Sequence, residues 1–329
     1  MPSISIIVPA YNAAKTIRET IASVQQQTIC DWELIVVNDG STDDTLKIVE
    51  GIEEPRLKII STVNSGVAKA RNTGLTHAIG TYIAFLDADD LWVENKLEHQ
   101  LQVLRQNSNA VVAYSWTCFM DREGDRYVYH GSPSYQYAGN VYARLLIADF
   151  IHSGSNTLIR KSALDEVGGF DADCSGCADW DMWLRLSAIG DFALVPQHQI
   201  IYRRAATSMS ANVEKMYDRA VFAINKAYQA APEHLQPLRR QTEANLHMYT
   251  ASLYLQHGID VFQTRRAGKH LKKSIQKYYP MIGKNIMQKL IIKFWLRYLF
   301  PGKLGRDIFE KLRTAIAIRD PRQTVKDEA

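Results

Sequence analysis

The sequence has few cysteines and lacks the signals of an exported or membrane-spanning chain. Its 329 residues include only four cysteines, which are too few and too scattered for a disulfide framework. The chain begins Met1-Pro2-Ser3, without the basic start and the apolar run of about 7–15 residues that a signal peptide needs. No uninterrupted apolar stretch reaches the ~20 residues that span a bilayer. These absences predict a cytoplasmic protein whose thiols are reduced.

Two common nucleotide-binding motifs are also missing. No G-x-G-x-x-G follows the first apolar run and G-x-x-x-x-G-K-[ST] occurs nowhere, which disfavours a dinucleotide dehydrogenase and a P-loop NTPase. The formal net charge of +4 is too small to indicate nucleic acid by itself. Hydrophobic residues make up 46% and charged residues 22%, which is ordinary for a globular protein and excludes a disordered or collagen-like chain.

The first two-thirds of the chain predicts strands that alternate with helices. Such alternation implies an α/β fold with a mainly parallel sheet. Ligands of these sheets bind beyond the carboxyl ends of the strands. Polar segments follow the first, second and fourth predicted strands, so we expect them to form one site. The predicted strands are residues 4–8, 32–37, 57–60 and 82–86, and the predicted helices are residues 12–27, a segment that opens at 41–44, and residues 67–77.

Three carboxylates, Asp87, Asp89 and Asp90, directly follow the fourth predicted strand. Carboxylates this close repel one another, and a hard divalent cation relieves that repulsion. Mg²⁺ commonly takes one or two protein carboxylates together with substrate phosphate oxygens. The segment therefore indicates a site for a metal ion and a diphosphate. The alternative is a solvated acidic turn that caps the next helix.

An ordered set of motifs resembles the family 2 glycosyltransferases. The resemblance covers roughly residues 3–212, and the order and spacing of the motifs make it specific. It implies a GT-A fold, an inverting mechanism, a nucleotide-sugar donor and Mn²⁺ or Mg²⁺ as cofactor. The matching segments are residues 6–12, 36–43, 70–74, 85–90, 168–171, 178–185, 202–204 and 208–210.

The resemblance implies roles for residues on the donor side. Asp89 would hold the metal, and Asp87 would face the ribose hydroxyls and the metal. Asp39 would accept a hydrogen bond from the uracil N3–H, a role that suits a carboxylate because it only accepts. An Asx turn over residues 38–41 is the other role considered for Asp39, and a solvated helix face is the alternative for Lys69 and Arg71. The remaining nucleotide-binding residues would be Pro9, Ala10, Tyr11, Asn12, Asn64, Gly66, Lys69, Arg71 and Ala88.

The acceptor hydroxyl needs a general base, and Asp179 is the candidate. Asp181 is a rival. If this segment is helical the two side chains diverge by about 200°, so only one should face the acceptor. The family usually has Glu-Asp where this chain has Ala178-Asp179, which removes a second carboxylate from the site. Trp180 and Gly169, together with Asp181, are the candidates for contacts with the acceptor or the donor sugar.

Three further residues are candidates for the diphosphate. The planar guanidinium fork of Arg203 or Arg204 matches phosphate oxygens, and Ser208 follows them; the alternative is a basic surface loop. Many family members carry a histidine near this point, where this chain has alanines. Cys174 and Cys177 have metal-like spacing, but no second such pair accompanies them, so two free thiols are the favoured interpretation.

The tail, residues 213–329, predicts helices without strands. The segment 286–300 places Lys289, Lys293 and Arg297 on one helical stripe among aliphatic and aromatic residues. A basic helix of this kind is typical of a membrane-surface anchor on anionic lipid. The alternatives are a helix packed on the catalytic domain and a contact in a homo-oligomer. Nucleic acid is disfavoured because no recognition motif accompanies the charge.

Together these observations predict a cytoplasmic, membrane-peripheral glycosyltransferase. It would have a GT-A domain at residues 1–212 and a helical region at residues 213–329. It would move a sugar from a nucleotide-sugar donor to a hydroxyl of a lipid-linked saccharide, with a UDP-sugar as the first candidate for the donor. A nucleotide-sugar-binding module without turnover is the alternative, in keeping with Ala178. A nucleotidyltransferase ranks last because residues 9–12 are not a glycine-rich basic loop.

Overall fold

A parallel sheet forms from the first four strands of the chain. The computed structural model describes residues 2–123, 126–174, 176–204, 212–257, 261–300 and 321–322. The first strands lie in the order β3-β2-β1-β4, and all of these neighbours are parallel. Their carboxyl ends therefore share one edge. The elements are β1 (Ile4–Ala10), α1 (Ile17–Gln25), β2 (Trp32–Asp39), α2 (Thr45–Glu50), β3 (Leu57–Thr62), α3 (Val67–His77) and β4 (Tyr82–Phe85).

Every residue of β1 and β2 is buried, as expected for parallel strands that helices cover on both faces. The α/β fold expected from the sequence is confirmed. The helix predicted from residue 12 begins instead at Ile17, because residues 12–16 form a loop. Asn12 adopts a positive φ of 49° in that loop, and the backbone N–H of Ala13 donates to Thr45 Oγ1 at 2.7 Å.

The sheet continues into a mixed half that the sequence did not predict. β8 pairs antiparallel with β4, and the order then runs β8-β6-β9-β5, with β7 beside β6. β6 and β9 are parallel to each other. The elements are β5 (Leu91–Trp92), α4 (Lys96–Gln106), β6 (Ala110–Glu123), β7 (Arg126–Gly131), α5 (Tyr142–Ile147), β8 (Leu158–Arg160), α6 (Lys161–Val167), α7 (Ala178–Ile189) and β9 (Asp191–Arg203).

The chain divides into two compact units. Of the described residues, the first unit contains those within 2–142, 150–204 and 321–322, and the second contains those within 143–149 and 212–300. The core of the first unit lies between the sheet and helices α1 and α4. Its fully buried side chains include Ile4, Ile6, Val8, Ile17, Ile21, Leu34, Val36, Leu97 and Leu104.

The second unit is helical in the part that the structure describes. It contains 3₁₀ turns at Glu233–Leu238 and Tyr279–Gly283. Pro237 lies in the first of these turns, and the helix that follows begins at Arg239. Within the described residues, no helix is long and apolar enough to cross a membrane. The helices are α8 (Val213–Ala230), α9 (Arg239–His257), α10 (Val261–Lys277) and α11 (Asn285–Leu299).

Two histidines of the second unit lie in contact between α9 and α10. Nδ1 of His247 is 3.1 Å from Nδ1 of His270, and the ring of Tyr217 stacks on His247. Burial lowers the pKa of each histidine to about 4. For His247 the charge of His270 adds to this effect, and the charge of Lys273 acts on both rings. Both rings are therefore neutral in the folded protein at pH 7.

We expect acid to destabilise this unit through these histidines. In the unfolded chain a histidine binds its proton near pH 6.5, and in the fold only near pH 4. The unfolded state then binds more protons, so stability falls as the pH drops from about 6.5 to 4. Thermal unfolding should show a Tm that is several degrees lower at pH 5 than at pH 7.5. His247→Asn should lessen this drop, whereas His234→Asn, at an exposed position of the same unit, should not. An unchanged drop in His247→Asn would contradict the assignment.

Candidate active site

The loops after β1 and β2 bind each other at the carboxyl edge of the sheet. The backbone N–H of Asn12 donates to Ser41 Oγ at 3.1 Å, and the N–H of Thr42 donates to Asn12 Oδ1 at 2.8 Å. Asparagine tolerates the positive φ of position 12 better than most residues. Pro9 and Ala10 are buried, whereas the Tyr11 side chain is 52% exposed. Of these four predicted nucleoside contacts, Tyr11 and Asn12 are therefore the two whose side chains are exposed to a ligand.

Asp39 fixes the loop that precedes α3. Its carboxylate accepts the backbone N–H groups of Ser65 and Gly66, both at 2.8 Å. The Asx turn considered for Asp39 is formed by Asn38, whose Oδ1 accepts the N–H of Ser41 at 3.1 Å. Asp39 is buried at the end of β2, and each of its oxygens can accept more than one hydrogen bond. The structure thus gives this side chain a positioning role, and its role toward a base stays a prediction.

A close backbone contact brings Asn64 beside this turn. Gly40 has a positive φ of 68°, and a Cβ at this position would lie 2.7 Å from the backbone nitrogen of Asn64. Only glycine fits both requirements. Asn64 and Gly66 are exposed and adjoin Asp39, as the sequence-based assignment of one nucleoside wall requires.

Residues 87–90 form the acidic segment. Asp90 is its buried member and joins three parts of the sheet. Its carboxylate accepts the hydroxyls of Ser155 at 2.6 Å and Ser153 at 3.2 Å, and the backbone N–H of Arg203 at 3.2 Å. Burial raises the pKa of Asp90 well above its usual range, and the charges of Asp89 and Asp87 raise it further. Asp90 is therefore a positioning residue for this edge.

The acidic segment does not cap a helix. Residues 91–92 form β5, and the next helix begins at Lys96 after Asn95. The helix-capping alternative for Asp87, Asp89 and Asp90 is therefore wrong. Ala88, between them, is buried, and its carbonyl accepts the hydroxyls of Thr16 and Thr20 at 2.8 and 3.0 Å.

Arg71 and Asp87 form an ion pair at the site. Nη2 of Arg71 lies 2.6 Å from Oδ1 of Asp87, and the arginine is almost fully buried. Burial alone would lower the pKa of Arg71, but the charges of Asp87 and Asp179 outweigh it and raise that pKa. A solvated helix face is therefore wrong for Arg71. Lys69, on the same helix, is exposed.

Asp89 is the exposed carboxylate of this segment, whereas Asp87 is half-buried and Asp90 is buried. The enclosed surroundings of its carboxylate and then the charge of Asp87 raise the pKa of Asp89 to about 6, although the charge of Arg203 opposes the shift. Carboxylate oxygens are the ligands that Mg²⁺ and Mn²⁺ prefer. Two crowded carboxylates, one of them exposed, fit such an ion by their chemistry.

The two acidic residues at the start of α7 have different surroundings. Asp181 is buried and pairs with Arg185 at 2.8 Å. Arg185 in turn donates to the carbonyl oxygens of Val167 at 2.9 Å and Gly169 at 3.0 Å. Asp181 therefore holds the loop before α7. Asp179 is half-buried, and its charge acts on Arg71. Because Arg71 pairs with Asp87, we infer that Asp179 lies in the same region as Asp87.

Asn72, which was not among the predicted site residues, anchors the segment that contains Gly169 and Phe170. Asn72 of α3 accepts the N–H of Phe170 at 2.7 Å and donates to its carbonyl at 2.8 Å. The two hydrogen bonds of Asn72 join the segment before α7 to the helix that carries Arg71. Trp180, at the start of α7, is half-buried. Asn72 lies inside a recognised motif, and that was the available signal.

Arg203 and Arg204 point to different partners. The Arg203 side chain pairs with Glu19, and its charge lowers the pKa of Asp89. The Arg204 side chain pairs with Asp121 and lies over the ring of Phe119 at 5.0 Å. Only Arg203 is therefore placed beside the acidic segment. Ser208 lies outside the described residues.

One other cluster could hold a metal ion by its donor atoms. Oxygens of Asp171 and Asp181 and Sγ of Cys174 lie within 4.8 Å of one another. Asp181 already pairs with Arg185, and Cys174 donates to Asp171 at a sulfur–oxygen distance of 3.7 Å. Cys177, the partner expected from metal-like spacing, is not part of this group.

Comparison with known proteins agrees with the resemblance. Residues 5–168 match the model of Glycosyl transferase family 2 and belong to that family. The chain is 31% identical over 218 residues to the chondroitin synthase of Escherichia coli, covering 66% of this chain and 31% of that protein. It is 45% identical over 106 residues to the E. coli UDP-Glc:alpha-D-GlcNAc-diphosphoundecaprenol beta-1,3-glucosyltransferase WfgD, covering 32% of this chain and 42% of that protein.

A solved structure shares the fold over most of the chain. S. aureus TarS 1-349, in complex with UDP-GlcNAc, superposes with a TM-score of 0.63 at 20% identity, covering 89% of this chain and 86% of that one. The GT-A fold expected from the resemblance is therefore confirmed. The chain spans less than half the length of the two curated relatives described above.

Proposed function

We propose that this protein is an inverting glycosyltransferase that moves a sugar from a UDP-sugar to a hydroxyl of a saccharide acceptor. The observation that carries the proposal is the buried ion pair of Arg71 with Asp87 beside Asp89, together with the charge of Asp179, which also acts on Arg71. Asp87 and Asp89 have the chemistry to hold a metal ion on a nucleoside diphosphate. Asp179 has the chemistry to take the proton of an acceptor hydroxyl. Membership of family 2 over residues 5–168 supports the reaction class.

The donor would lie along the carboxyl ends of β1, β2 and β4. Tyr11 would contact the base, and Asp39 would hold the loop that shapes the nucleoside wall and accept from the base. Asp89 and Asp87 would hold Mn²⁺ or Mg²⁺. When bound, such an ion neutralises charge on the leaving diphosphate. Arg71 orients Asp87, because it donates to Oδ1 and leaves Oδ2 for other partners.

The acceptor oxygen would attack the anomeric carbon from the side opposite the diphosphate. The new carbon–oxygen bond forms as the bond to the phosphate oxygen breaks, and UDP leaves with that electron pair. The carboxylate of Asp179 takes the hydroxyl proton, which requires hydrogen-bond reach of about 2.6–3.2 Å in the complex. Attack from the opposite face inverts the anomeric configuration.

The acceptor we propose is a saccharide linked to a lipid diphosphate, as used in cell-surface glycan synthesis at the inner face of the membrane. The printed name of the WfgD relative describes such an acceptor for that protein. A binding module without turnover is the second candidate. It rests on Ala178, which is buried where the family usually has a glutamate.

Calorimetry with UDP, GDP and dTDP, each with and without Mn²⁺, tests the donor assignment. Tight binding of UDP that depends on Mn²⁺ supports Asp39 and Asp89 in their proposed roles. Preference for another nucleotide would overturn the role of Asp39 toward uracil. Release of UDP from UDP-glucose with a synthetic lipid-diphosphate GlcNAc acceptor separates the two candidates, since a binding module would bind the donor without releasing UDP.

The adjacent arginines give a matched test of the diphosphate contact. We expect Arg203→Gln to weaken UDP binding by about 10-fold to 100-fold, as for loss of a charge-assisted hydrogen bond. Arg204→Gln should change the Kd less than twofold, since Arg204 pairs with Asp121 and lies over Phe119, whereas the charge of Arg203 acts on Asp89. Calorimetry on both variants measures this. If both variants lose UDP binding equally, the diphosphate contact does not belong to Arg203 alone, and the assignment is wrong.

A further inference from the structure

Helix α11 has a face that the second unit covers and a face that it leaves exposed. Met287 and Leu290 are buried in the core of the unit, and Ile291 and Phe294 pack against that core. Phe294 approaches α10 closely, because a Cβ at Gly268 would lie 2.6 Å from Phe294 Cε2. These contacts fix the rotation of the helix. The orientation of its other faces follows from them.

The exposed face of α11 carries large apolar side chains. Ile292 is 57%, Trp295 51% and Leu299 62% exposed. Their spacing of three and four residues places them on one stripe of the helix. We call these three residues the apolar stripe. Exposed apolar side chains so close together mark an interaction surface more often than singly scattered ones.

Positive charge borders the apolar stripe. Lys289, Lys293 and Arg297 recur every four residues and therefore form a second stripe on the same helix. The forty residues 261–300 contain ten Lys or Arg and no Asp or Glu, although the whole chain has a net charge of only +4. Arg265, Lys269 and Lys272 of α10 are also exposed. The positive charge of the chain is thus concentrated in α10 and α11.

We propose that the apolar stripe and its basic border dock α11 on the surface of an anionic lipid bilayer. A basic helix with Trp and aliphatic residues on an exposed face matches the phosphate and acyl layers of such a surface. Two copies of α11 packed on this face would bring like charges together, which disfavours a second chain as the occupant. The helix lies on the membrane rather than crossing it, in keeping with its 15 residues.

The test uses the full chain and lipid vesicles, without donor or acceptor. Vesicles of phosphatidylcholine alone and of phosphatidylcholine with 30% phosphatidylglycerol are compared by co-sedimentation. We expect binding to the anionic vesicles that weakens at high salt. Trp295→Gln with Leu299→Gln should lower the partition coefficient at least tenfold. Lys289→Gln with Lys293→Gln should lower it about 25-fold, from about fivefold for each charge.

Matched substitutions elsewhere act as controls. Phe222→Gln with Tyr249→Gln removes two exposed aromatic side chains of the same unit, and Lys47→Gln with Lys215→Gln removes two exposed charges. Both pairs should bind vesicles as the wild type does. Circular dichroism and Tm show whether each variant folds.

Undiminished binding by the Trp295 and Leu299 variant, or no binding by the wild type, would overturn the proposal. If the wild type is a dimer and this variant is a monomer, the surface is an interface between two copies of the chain. If the wild type captures an acidic protein and does not bind lipid, the surface is a docking site for acidic proteins. Donor binding and UDP release are measured separately, so the docking surface can fail while the proposed transfer stands.

Discussion

Replacing Asp179 with asparagine should abolish sugar transfer and leave donor binding intact. An amide cannot take the proton of the acceptor hydroxyl, and loss of a general base costs about 10²–10⁴ in kcat. The donor contacts assigned to Asp39, Asp89 and Arg203 do not involve this side chain. We therefore expect the Kd for UDP to change less than twofold. UDP release and calorimetry on one preparation measure both quantities.

Two neighbouring carboxylates serve as controls for Asp179→Asn. Asp173→Asn changes an exposed side chain near α7 and should alter neither activity nor stability. Asp181→Asn removes one partner of the buried pair with Arg185, so it should lower the Tm. Transfer near the wild-type rate in Asp179→Asn, together with loss in a folded Asp181→Asn, would move the base to Asp181.

The elements with strong local patterns could be predicted from the sequence. The predicted helix 67–77 has the bounds of α3, and the first strands differ from prediction by one or two residues. Helix α1 was started too early because residues 12–16 satisfy helical spacing, while contacts with the loop after β2 hold them as a loop. Those contacts come from residues about 30 positions away, which no local pattern contains.

The same limit applies inside the candidate site. Asp87, Asp89 and Asp90 are chemically alike in the sequence, but the fold gives them different roles. Asp90 is buried on Ser153 and Ser155, Asp87 is paired with Arg71, and Asp89 keeps exposed surface. The serines belong to a short polar segment some 60 residues later, which has no periodicity. Burial and long-range partners, rather than residue type, separate positioning residues from ligand-binding ones.

Replacing Asp89 with asparagine should lower metal-dependent UDP binding and, unusually, raise stability. The enclosed surroundings of Asp89 and the charge of Asp87 raise its pKa from 3.8 to about 6. Between these values the folded state binds more protons than the unfolded chain, so stability falls as the pH rises through that window. Above pH 6 the ionised carboxylate opposes folding when no metal is bound. Asp89→Asn removes that charge and should raise the Tm in metal-free buffer at pH 7.5.

The opposite signs of the two effects distinguish a ligand-binding role for Asp89 from a structural one. Replacing a structural carboxylate lowers the stability of the protein rather than raising it, as expected for Asp181→Asn. If Asp89 holds the cation, Mn²⁺ should raise the Tm of the wild type and strengthen its UDP binding at least tenfold, and Asp89→Asn should lose both responses. Asp44→Asn, an exposed carboxylate at the start of α2 without a side-chain capping bond, should keep them. Mn²⁺-dependent binding that survives in Asp89→Asn would instead place the ion on other ligands. The crowding of carboxylates after β4 would then be a cost to folding that metal binding does not explain.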